Sequence, residues 1–175
     1  TTATKMFAYK AIEMILLGYR ELEAHGHDAL KPLLDDFLTA SNFAGIAFGT
    51  AGCGAVHAMA YPLGGKYHVA HGESNYAIFT GVMKNYVRLR QDGEIRTVNA
   101  FLARLLACDP SVVYEKLEDL LNRILPKKPL REYGVTREDL PEFSKSVMEN
   151  QQRLMANAFV EMDYDLVLRI YQELY

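Results

Sequence analysis

Residues 55–72 read AVHAMAYPLGGKYHVAHG and carry three of the chain's five histidines among small and apolar residues, with a single charged side chain, Lys66. Imidazoles at 57, 68 and 71 in a stretch that otherwise reads as core have two explanations. Either they pack with their ring nitrogens bonded to backbone or tyrosine oxygens, or they are held together to bind something. Proline disfavours helix in the residue before it. The reading therefore ends a helix carrying His57 at Pro62, turns the chain through PLGGKYHVA with Gly64–Gly65 as the hinge, and opens the next helix at His71. That helix would present Tyr76, Phe79, Met83 and Tyr86 inward.

Outward from this stretch, apolar residues recur with helical spacing and no strand-like alternation bounded by turns is present. Upstream, Ala8, Ile12, Ile15, Tyr19 and Leu22 line one face of a first helix, and HGHD at 25–28 is a loop. A second helix starts near Asp28, with Pro32 tolerable in its first turn. Leu34, Phe37, Leu38, Ala44 and Phe48 form its expected buried face, and the glycines of GTAGCG mark a break before the third helix. Downstream, Ile95–Cys108 buries Val98, Phe101, Leu102 and Leu105, and Ser111–Leu125 is closed by Pro126. Thr136 and Asp139 signal a further helix start, and Asp163 caps a last helix with Val167, Ile170 and Leu174 inward. The expected fold is an all-α bundle of about seven or eight helices.

A chain of 175 residues, half of them apolar and 23% charged, is long enough for one ordinary domain. The net charge of −3 is spread over interspersed residues, which argues against nucleic acid as a partner. No apolar run is long enough to span a membrane, and no secretory leader opens the chain. Cys53 and Cys108 lack the spacing of a zinc site or a disulfide framework and read as small hydrophobes, so a reducing cytoplasm is the expected compartment.

GTAGCGAVHAMAYPLGGKYHVAHGESNYAIFTGVMKNY, residues 49–86, resembles the C-terminal helical domain of iron-containing (group III) alcohol dehydrogenases. The family shows a small-residue helix, a His, a position four residues on often filled by a second His, then Pro-Leu-Gly and a further His that opens a helix. The likeness extends along the whole chain, to LREYGVTREDLPEF and the closing LVLRIYQELY. It implies an NAD(P)-dependent enzyme acting on a small aldehyde or alcohol with Fe(II), or Zn or another divalent metal, held in part by His57 and His71. Within the family, HGESNY and Tyr61 are most similar to members that interconvert succinate semialdehyde and 4-hydroxybutyrate.

The departures are equally informative. The family's remaining ligands, an Asp and a His four apart, have no match, since no Asp-x-x-x-His occurs in the chain. Nor is there a Gly-rich strand–turn–helix phosphate cradle. The resemblance thus implies that residues 1–175 are a C-terminal metal-binding domain, inactive alone. Its partners would be its own N-terminal nucleotide-binding domain, carrying most of the NAD(H) site, and further copies in a homo-oligomer. Where many members carry a second His this chain has Tyr61, which either contacts substrate or fills space. Lys66 and His68, in the expected loop, are candidates for holding a substrate carboxylate, and are otherwise an exposed lysine and a capping or solvated histidine. His25 and His27 read as solvated, Glu73 as favourable at a helix N-terminus, and Asn75 as a cap or an orienting neighbour. The HGE triplet also fits glycerol dehydrogenases and dehydroquinate synthases, and a helical binding module with no chemistry is the rival from another class.

Overall fold

A computed structural model describes all residues, Thr1–Tyr175. It contains nine α-helices and three short 3-10 turns and no strand. The helices are α1 (Thr2–His25), α2 (Leu30–Ala51), α3 (Ala55–Tyr67), α4 (His71–Leu89), α5 (Glu94–Leu106), α6 (Val113–Ile124), α7 (Asp139–Asn150), α8 (Gln152–Met155) and α9 (Tyr164–Leu174). The all-α expectation holds. The surplus over the expected seven or eight is α8, a single turn.

The chain packs into two compact units, Thr1–Gly52 with Val98–Pro126, and Cys53–Thr97 with Lys127–Tyr175. In the first, α1 and α2 form a hairpin turned at Gly26, whose φ of 73° suits glycine. The two helices approach through small residues. Ala11, Ala40 and Ala47 are buried, and the Phe37 ring lies so close to Gly18 that an added Cβ would sit 2.6 Å from it. This contact sets the rotation of α2 and overturns part of its expected inner face. Leu34, Leu38 and Phe48 are 53%, 71% and 50% exposed, while Leu33, Phe37 and Phe43 are half-buried. Across this unit Tyr9 meets the edge of Phe101 at 4.7 Å, and Arg20 donates to the Leu105 carbonyl at 2.9 Å.

The second unit has a continuous apolar core built from α3, α4, α7 and α9. Asp163 accepts from the Leu166 amide at 2.8 Å and caps α9, which puts Val167, Ile170 and Tyr171 wholly out of solvent. Leu174 of α9 lies against Gly81, where a Cβ would come within 2.8 Å of it. That close approach selects the small face of α4. Ser74, Ala77, Ile78, Gly81, Val82 and Asn85 are buried together with Tyr86, and the expected Tyr76, Phe79 and Met83 are half-buried at its margin. No single helix of the chain is long and apolar enough to cross a membrane.

One correction matters most for the site. Pro62 does not end the helix that carries His57. α3 runs on to Tyr67 with the proline inside it. Proline removes the N–H that would reach the Ala58 carbonyl, at a cost of about 3 kcal/mol in a helix interior. The helix persists because Ala58, Met59, Ala60 and Leu63 are all 1% exposed or less, and the burial of such side chains outweighs one lost bond. In addition, the Tyr171 hydroxyl, fully buried, donates to the Met59 carbonyl at 2.7 Å. The reversal therefore falls not at Gly64–Gly65 but at 68–70, where His68 takes the left-handed conformation, φ 55°.

Candidate metal centre

His57 is the third residue of α3 and His71 opens α4, with only three residues between the helices. α3 and α4 pack against each other, and Ala58 of α3 shares one buried core with Ala77 and Ile78 of α4. The two imidazoles meet, their ring centroids 5.2 Å apart and their planes inclined at 54°. His57 is half-buried and His71 exposed, so the pair faces an open side. Burial and the neighbouring His71 both hold the His57 pKa below its usual value, burial being the larger cause. Both favour the neutral imidazole, the form that binds a metal.

The spacing allows a shared ion. An ion about 2.1 Å from one nitrogen of each ring, in a tetrahedral arrangement, places two imidazole centroids about 5 Å apart. The donor set thus fits two of the four ligands of a divalent transition metal, N-donors suiting Fe or Zn. No third His, Cys, Asp or Glu joins them, since the chain holds no group of three or more such residues arranged for a metal. Asn75, one turn on from His71, donates its amide to the His71 carbonyl at 2.8 Å. The same nitrogen lies 3.4 and 3.2 Å from the two His71 ring nitrogens, a near-equal reach that points along neither lone pair. Asn75 orients the start of α4, and its buried Oδ1 has no partner.

Tyr61 follows His57 by one turn, is 45% exposed, and lies nearly parallel to His71 with centroids 6.2 Å apart. Beyond it, a cleft of about 580 Å³ runs between α3 and α7, lined by Gly65, Lys66, Glu142, Ser146 and Asn150 among others. His68 is exposed in the turn. His57, Tyr61 and His71 therefore gather in one place, and His68 stands in the turn that follows the last residue of α3.

Lys66 stands on another side of α3 from His57. It lies in the last turn of α3 and not in a loop, nine residues from His57. At about 100° and 1.5 Å per residue, that puts it on the opposite side of the helix and roughly 13 Å along the axis. Its ammonium is bonded to Asp139 at 2.6 Å and Glu142 at 2.8 Å, which push its pKa well up. A substrate carboxylate would have to displace these two partners to reach it. Glu73, in the first turn of α4, is 3.5 Å from Lys128. In the other unit, His25 stands 3.5 Å from Glu21 and His27 lies in an exposed 3-10 turn, as a solvated reading requires.

Asp139 is the residue that sequence reasoning undervalued. Read as a helix-start signal, it is 7% exposed and accepts four hydrogen bonds. They come from Lys66 Nζ at 2.6 Å, Tyr67 OH at 2.5 Å, the Thr136 amide at 2.7 Å and Thr136 Oγ1 at 2.8 Å. These donors hold its carboxyl well below the usual range, the Lys66 bond foremost. The T-x-x-D spacing was legible; the two partners from α3, more than seventy residues away, were not.

All 175 residues match the family model described as "Fe-containing alcohol dehydrogenase family, C-terminal". The chain is 46% identical over 172 residues to a 4-hydroxybutyrate dehydrogenase of Clostridium kluyveri, an alignment covering 98% of this chain and 46% of that protein. It is 34% identical over 158 residues to a long-chain-alcohol dehydrogenase of Geobacillus thermodenitrificans, covering 86% of this chain and 38% of the other. The chain thus spans less than half the length of these curated relatives. Among solved structures it superimposes on an archaeal halo-thermophilic alcohol dehydrogenase from a Red Sea brine pool with a TM-score of 0.85 at 22% identity, covering 98% of this chain and 44% of that one. A 1,3-propanediol oxidoreductase gives 0.82 at 23%, covering 100% and 46%. At these identities the structural matches speak for the fold alone.

Proposed function

The chain belongs to the iron-containing alcohol dehydrogenase family, matching its C-terminal part, and on that premise we propose that it is the metal-binding helical domain of an NAD(P)-dependent alcohol dehydrogenase acting on succinate semialdehyde and 4-hydroxybutyrate. The observation that carries this reading is the His57–His71 pair at the spacing of two ligands on one ion. The substrate assignment is supported by the 46% identity to a relative named for 4-hydroxybutyrate.

His57 and His71 would hold a divalent ion, Fe(II) in the first instance, with the other ligands and the nicotinamide site supplied by residues N-terminal to this domain. Bound there, the ion would supply Lewis-acid polarisation of the substrate oxygen. What the chain's own groups do follows from their placement. The lowered pKa of His57 keeps its nitrogen available as a donor near neutral pH. Tyr61, beside His71, offers a phenolic hydrogen-bond donor to the reacting oxygen and closes one side of the pocket against water. Of the two candidate donors to the distal carboxylate, Lys66 is paired with Asp139 and Glu142, which leaves His68, in the turn three residues before His71.

The test uses the full-length enzyme. His57→Ala and His71→Ala are each expected to lose bound metal by elemental analysis and to lose reduction of succinate semialdehyde, with the helical circular dichroism retained. Full metal content in either variant would overturn the ligand assignment. A wild-type enzyme with higher kcat/KM for butyraldehyde than for succinate semialdehyde would overturn the substrate.

A further inference from the structure

The end of α3 has little helical strength of its own. Pro62 removes one backbone bond, and Gly64 and Gly65 follow at positions where each costs about 1 kcal/mol relative to alanine. The next residue out of the helix, His68, adopts a left-handed conformation that non-glycine residues rarely take. This is nevertheless the segment that must deliver His71 opposite His57. The α4 side of the turn is secured locally, Ser74 Oγ donating to the Val69 carbonyl at 3.2 Å and the Ser74 amide to the Ala70 carbonyl at 2.8 Å.

The α3 side is secured from outside, by α7. The last two residues of α3 both reach Asp139, Lys66 through its ammonium and Tyr67 through its hydroxyl. The Tyr67 ring lies in a slot, against Gly134 on one side and edge-on to Phe143 with centroids 6.2 Å apart. Asp139 is itself oriented by two bonds from Thr136 to Oδ2, which also accepts from Tyr67, while Oδ1 accepts from Lys66. Glu142, largely exposed, adds a second and solvent-screened contact to Lys66.

We infer that Asp139 is a positioning residue for the metal pair: by clamping Lys66 and Tyr67 it fixes the α3–α4 turn and with it the separation of His57 and His71. The inference rests on the reading of those histidines as ligands, but its structural half can be tested without metal. A supporting shell that loosens by about 1 Å is enough to spoil a metal geometry. Asp139 thus acts through Lys66 and Tyr67, which are not among the proposed ligands.

The experiment uses the full-length protein with 13C-labelled histidine. In the metal-free wild type, ring protons of His57 and His71 are expected to give a nuclear Overhauser cross-peak, and Zn²⁺ titration should show binding that needs both residues. In Asp139→Asn, and in the Lys66→Met/Tyr67→Phe double variant, the cross-peak should fall at least about threefold and Zn²⁺ affinity about tenfold, the loss expected when support around a ligand is removed. Asp163→Ala, which removes the α9 cap, serves as a control for lowered stability and should leave both readouts unchanged. Clamp variants that stay folded with an undiminished cross-peak and unchanged Zn²⁺ affinity would overturn the inference. If Asp139→Asn does not fold, the double variant decides. A wild type that binds no metal but whose cross-peak still depends on Asp139 would refute the ligand reading and leave the positioning role standing.

Discussion

Tyr171→Phe tests a tertiary contact that steadies α3 next to the carbonyl its proline leaves without a helix donor. The Tyr171 ring is 0% exposed and its hydroxyl donates to the Met59 carbonyl at 2.7 Å. Removing one oxygen leaves the ring's packing and its edge contact with Phe143, centroids 5.8 Å apart, in place. The Met59 carbonyl also accepts the Leu63 amide by the i to i−4 rule of the helix, so it is not orphaned. The loss is therefore that of one net hydrogen bond, about 1 kcal/mol, and not the larger penalty of an unsatisfied buried acceptor. For a chain of this size that lowers the melting temperature by about 2–4 °C. With a urea m-value of about 2 kcal/mol/M, the midpoint falls by about 0.5 M while m stays constant. Amide exchange should accelerate most in α3. A midpoint unchanged within error would refute the claim that this bond steadies the helix, and a loss above about 3 kcal/mol would show that the carbonyl depends on Tyr171 alone.

Gly134→Ala should destabilise by about 1–2 kcal/mol, because the backbone there has φ 90° and a Cβ would press on the Tyr67 ring at 3.3 Å; thermal melting checks it, and a neutral result would mean the slot is loose. Asp139, whose pKa is depressed from the ordinary 3.8 chiefly by its bond from Lys66, adds stability that is complete above about pH 4 and is lost as pH falls below it. Comparing urea midpoints of wild type and Asp139→Asn from pH 7 to pH 2 should show the gap between them closing as the acid end is approached. A gap independent of pH would show that the carboxylate's charge contributes nothing.

The site is partly legible because its determinants are local. His57 and Tyr61, four apart, share one face of a helix, and His71 stands near the start of the next. The position of the reversal was misread at Pro62, where a local rule about proline was outweighed by the burial of Ala58, Met59, Ala60 and Leu63 and by the Tyr171 hydroxyl. Lys66 followed the same error. Taken as a loop residue it was free to meet a substrate, whereas in the helix it faces α7 and is paired there. The rotation of α2 was misjudged for a related reason, since Leu34, Leu38 and Phe48 satisfy the apolar period but Gly18 and Phe37 determine which side of it faces α1.

The amino-acid sequence by itself determined the helical class, the cap at Asp163, the break at the glycines of GTAGCG and the candidate histidines, because each depends on residues within a turn or two of one another. Only the tertiary structure decided that α3 survives its proline, that Asp139 joins the end of α3 to the start of α7, and that the two imidazoles lie 5.2 Å apart. These outcomes turn on contacts between segments tens of residues apart, whose burial free energy of several kcal/mol exceeds the local preferences of about 1–3 kcal/mol that a sequence pattern records.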